Sequence, residues 1–286
     1  MNNATRLATF VACLFGIACA PVALSSEPGS GEEAQSQELL TDNFRLGIGG
    51  GLFRFNSSYR LGVDDRLPIF IDGEGTLGLD DKTSVPIFYG QWHFAERHAV
   101  GFHYFRIDRE GSALAVDRQF DALRINGVLR GQDKSSFYYL NYSYAFQSNE
   151  HLLLKGLFGI YTVDLDFQFE GIGEISINDV PVESGRFNSK AEKLAPLPML
   201  GLEFWARASK NWTLGSRLTL VGGEVNDMKA FVVEADVTAR YSLSEHVGLV
   251  LGASYFNGDL ELTDTDEQKQ LTYGYDGVYV GLDFNF

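Results

Sequence analysis

Apolar and polar side chains alternate with a period of two along one segment of this chain after another, and the segments are joined by short polar turns. In a strand, successive side chains point to opposite faces, so such a pattern specifies β structure with one dry face and one wet face. Residues 231–243 are representative. Phe231, Val233, Ala235, Val237, Ala239, Tyr241 and Leu243 are apolar or aromatic, and Glu234, Asp236, Thr238, Arg240 and Ser242 fill the positions between. High glycine and aromatic contents (31 Gly, 13% aromatic) suit strands better than helices. Beyond residue 25 no window offers the roughly 18 uncharged apolar residues that a membrane-spanning helix requires. A chain of this kind enters a membrane by strands or not at all.

Four turns share one grammar: HFAERHAVGF, AFQSNEHLLL, ARASKNWTLG and YSLSEHVGLV each leave an apolar strand, use a few polar residues, and re-enter an apolar strand. Between them lie longer, acidic, Gly-rich connections near residues 57–83, 109–133, 168–192, 222–228 and 258–270. Short turns therefore gather at one end and long connections at the other. The alternation places strands at 43–56, 84–95, 98–109, 134–147, 151–167, 196–208, 211–221, 229–243, 246–257 and 272–286. Ten is an even number, which returns both ends of the sheet to the short-turn side; strands within 66–80 or 113–129 would raise it to twelve. Residues 151–167 fit one face poorly. Leu152, Leu154, Phe158 and Ile160 have one parity, and Val163, Leu165 and Phe167 have the other. A bulge near Tyr161 or a strand whose upper part leaves the bilayer would account for this.

A soluble sandwich also alternates. Against it, the spans match the roughly 9–11 residues that a tilted strand needs to cross hydrocarbon, where sandwich strands run to about five or six. Aromatics gather beside the short turns (Trp92, Phe94, Tyr144, Phe146, Trp212, Tyr241), as membrane-interface girdles require. The chain also ends on YVGLDFNF, with Val278, Val280, Leu282, Phe284 and Phe286 in alternate positions. That ending resembles the C-terminal assembly signal of Gram-negative outer-membrane β-barrel proteins. The resemblance implies an all-β, transmembrane, antiparallel up-and-down barrel over residues 43–286. It also implies an outer-membrane location, contact with lipid and lipopolysaccharide, and recognition of the last strand by the barrel-assembly machinery.

Residues 1–25 fit an export leader. Arg6 precedes the apolar run Leu7 to Ala20, and small residues follow at Ala18, Ala20, Ala23 and Ser25, which reads as a cleaved signal peptide. Cys13 and Cys19 both lie in this segment, so no thiol remains beyond it. Residues 26–42 are acidic and Gly/Ser-containing and read as a flexible segment. The formal charge of −15 argues against nucleic acid as a partner and favours cations or basic partners.

The strand alternation assigns a polar set to the interior: the cations Arg45, Arg207, Arg217 and Arg240, the anions Glu203, Glu234, Asp236 and Asp283, and the polar residues Gln91, His93, His103 and Asn141. In a barrel of about ten strands the bore is narrow and opposite charges on facing strands pair across it. The result is either a polar plug or the wall of a narrow porin-like path for small solutes. Acidic connections, with Asp64, Asp65, Asp72, Glu74, Asp80 and Asp81 in the first, Glu170, Glu174, Asp179 and Glu183 in the third and Asp259, Glu261, Asp264, Asp266 and Glu267 in the last, would attract divalent cations. The DTDEQ stretch lacks the spacing of a Ca²⁺ loop, and no cofactor or specific metal motif is found. GIGGG at 47–51 sits within a strand, where small residues leave room for inward side chains. Ten strands also match the omptin proteases in number, and outer-membrane enzymes of this shape commonly use a His with Asp, Glu or Ser near the outer rim. Here His98, His151 and His246 belong to short turns, with His93 and His103 close to the same end. General-base chemistry needs placement as well as residue type, so the expectation is a channel-like or surface-interaction barrel rather than a hydrolase.

Overall fold

Alternation is realised as antiparallel strands throughout a computed structural model that describes residues 43–63, 69–112, 114–120, 123–177, 180–225, 228–263 and 267–286. The expected leader, the 26–42 segment, and Asp64, Asp65, Asp179, Asp264 and Asp266 lie outside the described residues. The strands are β1 (Phe44–Val63), β2 (Ile69–Asp72), β3 (Lys82–Ala95), β4 (His98–Arg106), β5 (Arg109–Glu110), β6 (Leu114–Phe120) and β7 (Leu123–Asp133). They continue as β8 (Ser136–Ser148), β9 (Leu152–Ile177), β10 (Val180–Arg207), β11 (Trp212–Val225), β12 (Met228–Ser242), β13 (Val247–Thr263) and β14 (Glu267–Asn285). Ten of them form a closed wall in the order β1, β3, β4, β8, β9, β10, β11, β12, β13, β14, and β14 pairs back onto β1 from Arg45↔Asn285 to Val63↔Glu267. Closure removes the open sheet edges that cannot exist in hydrocarbon.

The stretches that could have raised the number to twelve do contain strands, but not wall strands. β2 pairs with Ser58–Leu61 of β1, β6 pairs with β7, and β7 pairs with residues 167–177 of β9. Residues 168–192, expected as a connection, instead continue β9 and β10, which stay paired up to Ile177↔Val180. Register through Tyr161 is unbroken on both sides of β9 and there is no bulge there. Of the two accounts of residues 151–167, the strand leaving the bilayer is the one that fits.

The short turns are held by their own side chains. Asn149 Oδ1 accepts from the backbone N–H groups of His151 (2.9 Å) and Leu152 (2.7 Å), Ser244 Oγ accepts from those of His246 and Val247, and Ser209 Oγ accepts from that of Trp212. Such Asn and Ser bonds satisfy the turn backbone locally and fix hairpin register.

The outer face divides into layers. Arg54 lies in register with Asp276 on one side and Lys82 on the other, and Arg106 and Asp164 are likewise exposed. Toward the short turns the outward side chains are large and apolar, among them Ile48, Leu52, Leu140, Phe158, Leu200 and Leu251. At the short-turn end the outer face becomes aromatic, with Trp92 beside Phe94 (5.8 Å between rings) and Trp212 beside Tyr241 (5.0 Å). Val278, Val280 (50% exposed), Leu282 and Phe286 (69% exposed) all face outward. Burying so continuous an apolar band requires lipid, because no second protein layer among the described residues covers it.

The interior also has layers. Its half near the short turns is polar. Its other half is filled by Phe53, Phe55, Phe137, Tyr161, Val163, Leu197, Val232, Phe256 and Tyr273, packed as one core. Glycine makes room for these inward rings: a Cβ at Gly47 would fall inside the Tyr89 ring of the neighbouring strand.

Candidate functional site

The polar half of the bore is assembled from adjacent strands and then braced across the barrel. On β11 and β12, Arg217 donates from Nε and Nη2 to Asp236 Oδ2 (3.0 and 2.6 Å) and from Nη2 to Glu234 Oε1 (3.1 Å). Its Nη1 reaches across the bore to donate to the Tyr139 hydroxyl on β8. On β9 and β10, Lys155 Nζ meets Glu203 Oε1 at 2.6 Å and also donates across the bore to Gln91 Oε1 on β3 (3.1 Å), and Trp205 Nε1 donates to Glu203 Oε1 (2.8 Å). Arg45 on β1 donates to Asn285 Oδ1 and lies 6.0 Å from the Trp205 ring centre. Arg240 on β12 donates from Nε to both oxygens of Asp283 on β14 (3.0 and 2.7 Å). That pair spans an intervening strand because Gly248 on β13 has no side chain; a Cβ there would collide with Asp283 and Arg240. Buried charges are tolerable only when paired and hydrogen-bonded, and each of these is.

The other end is closed by a second cluster. The DGEGTLG turn after β2 is held by Asp72, whose Oδ1 accepts from the Gly75 N–H (2.7 Å), and by Gly78 in the left-handed region (φ 66°) that suits glycine. It lays Leu77 (1% exposed) and Leu79 inward, and the Leu77 carbonyl accepts from the Gly131 N–H on β7. Arg109, also 1% exposed, joins the pieces. Its Nη1 contacts Glu74 Oε1 in that turn (2.7 Å), its Nη2 contacts Asp133 Oδ2 at the end of β7 (2.9 Å), and its guanidinium lies 4.6 Å from the centre of the Phe55 ring. Tyr273 and Ser135 donate to the two oxygens of Asp133 (2.9 and 2.6 Å), and Ser57 Oγ donates to Glu74 (2.8 Å). Burial alone would pull the Arg109 pKa down, but Tyr273, Asp133 and Glu74 outweigh it and hold the guanidinium above its ordinary value. The Arg109 guanidinium therefore stays charged at every physiological pH.

Of the residues expected in the bore, the structure brings Glu203, Arg217, Glu234 and Asp236 into one group and Arg45, Arg240 and Asp283 into another, with Gln91 bridging to the first. Asn141 is buried on β8, and His103 lies between Tyr89 and Tyr139, 5.0 Å from the latter. His93, Arg207 and Arg240 are outside the wall of the cavity that the other expected residues line. Lys155, Trp205 and Tyr139 were not expected there. A lone lysine within the apolar run LLLKGLFGI was the available signal, because a charge on a lipid-spanning strand must face the bore. Among the described residues no group of three His, Cys, Asp or Glu is arranged to hold a metal. Glu74 of the acidic first connection is engaged by Arg109 rather than left for a cation.

No family model matches the chain, and no curated protein matches it. Solved structures do. The outer-membrane protease OmpT from Escherichia coli superposes with a TM-score of 0.57 over 87% of this chain and 98% of that one, at 10% identity. The chain has the fold of a Gram-negative outer-membrane β-barrel. OprG from Pseudomonas aeruginosa (12% identity, 86% and 97% covered, TM-score 0.36) and Ail from Yersinia pestis (12%, 83% and 99%, 0.29) are more distant outer-membrane matches. In outer-membrane barrels the short turns face the periplasm, an orientation that would put the Arg109 cap outside. The likeness to OmpT extends to architecture. In the present barrel His98, His151 and His246 stand at periplasmic turns, and His93 and His103 point into the bore.

Proposed function

We propose that this barrel is closed at rest and serves as a surface-interaction protein of the outer membrane rather than as an open porin. One observation carries the reading: the outer half of the bore is packed with aromatic and aliphatic side chains and roofed by the Arg109 cluster. Close-packed interiors leave no water path, and ion passage through such a layer would need the core to part. The narrow channel that the charged walls suggest has support only in the periplasmic half. There, too, Arg217 and Lys155 bridge the bore. The carboxylates of that half are each engaged by arginine or lysine, which favours a bracing role over acid–base chemistry.

What the barrel offers outside is a sheet. β6, β7, β9 and β10 form four paired strands beyond the belt, and above Met199 the edge of β10 that faces away from β9 is unpaired among the described residues. Exposed acidic side chains border the barrel mouth: Asp80, Asp81, Glu170, Glu174, Asp259 and Glu261. A basic protein surface, or lipopolysaccharide bridged through divalent cations, is the class of partner this charge favours.

Refolded protein reconstituted into a planar bilayer tests the reading. Insertion is verified by protease protection, and a flat current trace in molar salt is expected. Regular single-channel steps from the wild-type chain would overturn the closed barrel and restore the porin.

A further inference from the structure

Below the aromatic core the bore widens into a cavity of about 140 Å³. Its lowest wall residues, Arg45 and Asp283, stand beside the periplasmic ends of β1 and β14, so its lower end lies toward the periplasm. Its upper wall is aromatic and aliphatic, from Phe53, Phe55, Phe105, Ile107 and Tyr275, and its lower wall is polar. We propose that this cavity binds an uncharged, single-ring aromatic molecule with one hydroxyl-sized polar group, admitted from the periplasmic side.

Three observations define the ligand. The first is size: an apolar protein cavity of about 150 Å³ takes up benzene. The second is the ring environment. Phe53 and Tyr275 meet edge to face at 5.3 Å, and Phe105 and Tyr275 do so at 5.8 Å, leaving ring faces and edges that favour another aromatic ring over an aliphatic one of equal size. The third is polar chemistry. Asn141 is only 6% exposed, lines the cavity, and makes no side-chain hydrogen bond among the described residues. Of the five N–H groups of Arg217, the four bonds to Asp236, Glu234 and Tyr139 leave one hydrogen on Nη1. A hydroxyl could donate to Asn141 Oδ1 and accept from Arg217, using hydrogen-bonding capacity that the cavity wall leaves open.

Charge on the ligand is disfavoured. The four cations Arg45, Lys155, Arg217 and Arg240 face the four anions Glu203, Glu234, Asp236 and Asp283, and their ion pairs already neutralise one another. A carboxylate would share the one remaining N–H of Arg217 with Glu203, Glu234 and Asp236 close by, and an ammonium would meet Arg45 and Arg217 in the same small space.

The test is calorimetric titration of phenol into folded barrel in detergent micelles, with protein-free micelles as the blank and heat-modifiable gel migration as the check on folding. Saturable one-to-one uptake is expected for phenol, with benzoate and benzylamine at least about tenfold weaker, a difference of about 1.4 kcal/mol. Asn141→Leu keeps the volume but removes the polar contact and is expected to weaken phenol by a similar factor. Val85→Phe, on the cavity wall, is expected to abolish uptake in protein that still migrates as folded. No saturable uptake by the wild type, equal affinity for a charged analogue, or undiminished binding by either folded variant would overturn the assignment.

Discussion

Arg109→Ala is expected to destabilise the barrel by about 3–5 kcal/mol, the usual cost of removing one partner from a buried ion pair. Asp133, which is fully buried, would keep only its hydrogen bonds from Tyr273 and Ser135, and Glu74 would keep only Ser57. The loss is concentrated on the cap, because Arg109 is the side chain that ties the turn after β2 to the end of β7 and to Ser57 of β1. Two measurements read it: the denaturant midpoint of refolded protein, and protease cleavage within residues 72–81 from outside the cell. Cleavage should appear in the variant under conditions that leave the wild type intact. Unchanged protection together with an unchanged midpoint would mean that the cap is held by Leu77, Leu79 and backbone pairing alone. Arg109→Lys separates charge from shape, since an ammonium cannot reproduce the fork that reaches Glu74, Asp133 and Ser57 together.

The second large effect is expected on the outer face. Val280 is half exposed, opposite Gly50 and Leu251 on the flanking strands, in the middle of the apolar belt. Val280→Arg is expected to cost about 2–4 kcal/mol, as arginine does near the bilayer midplane, and to reduce the folded protein recovered from the outer membrane. Thr272→Arg, on the same face of the same strand but beyond the charged ring at Asp276, is expected to cost about 0–1 kcal/mol. Folding midpoints in lipid vesicles compare the two directly. A barrel whose outer face met water would show no such depth dependence, and Val280→Arg would be neutral.

Wall and belt were legible in the sequence because lipid imposes a strict rule on every outward position, and a period of two exposes any breach of it. Val278 to Phe286, Phe231 to Tyr241 and the four turn sequences carry that rule openly. Rules for the inward positions are looser. Inside the barrel a carboxylate that finds an arginine and a phenylalanine that finds a tyrosine are both stable, so the inward parity alone does not say which part is polar. The consequence is visible in β9. Lys155, Leu157, Tyr161, Val163 and Leu165 all face inward on one unbroken strand, yet the sequence looks as if its apolar stripe changes sides, because the bore turns apolar at the height where the outer face turns charged at Asp164. The cap was out of reach for another reason. Glu74 comes from one connection and Arg109 and Asp133 from opposite ends of the next, and nothing local at any of the three positions names the other two.

The clasp of Arg240 on Asp283 across Gly248 bears on how the wall is completed. Asp283 rides on β14, two strands from Arg240 on β12, so until the β13–β14 hairpin docks on β12, Arg240 stands in the bore without its counter-ion. Docking the terminal hairpin and neutralising a buried guanidinium are therefore a single event. A hairpin docked out of register carries an electrostatic penalty that only correct pairing of β12, β13 and β14 relieves, which gives this part of the wall a built-in check on its register.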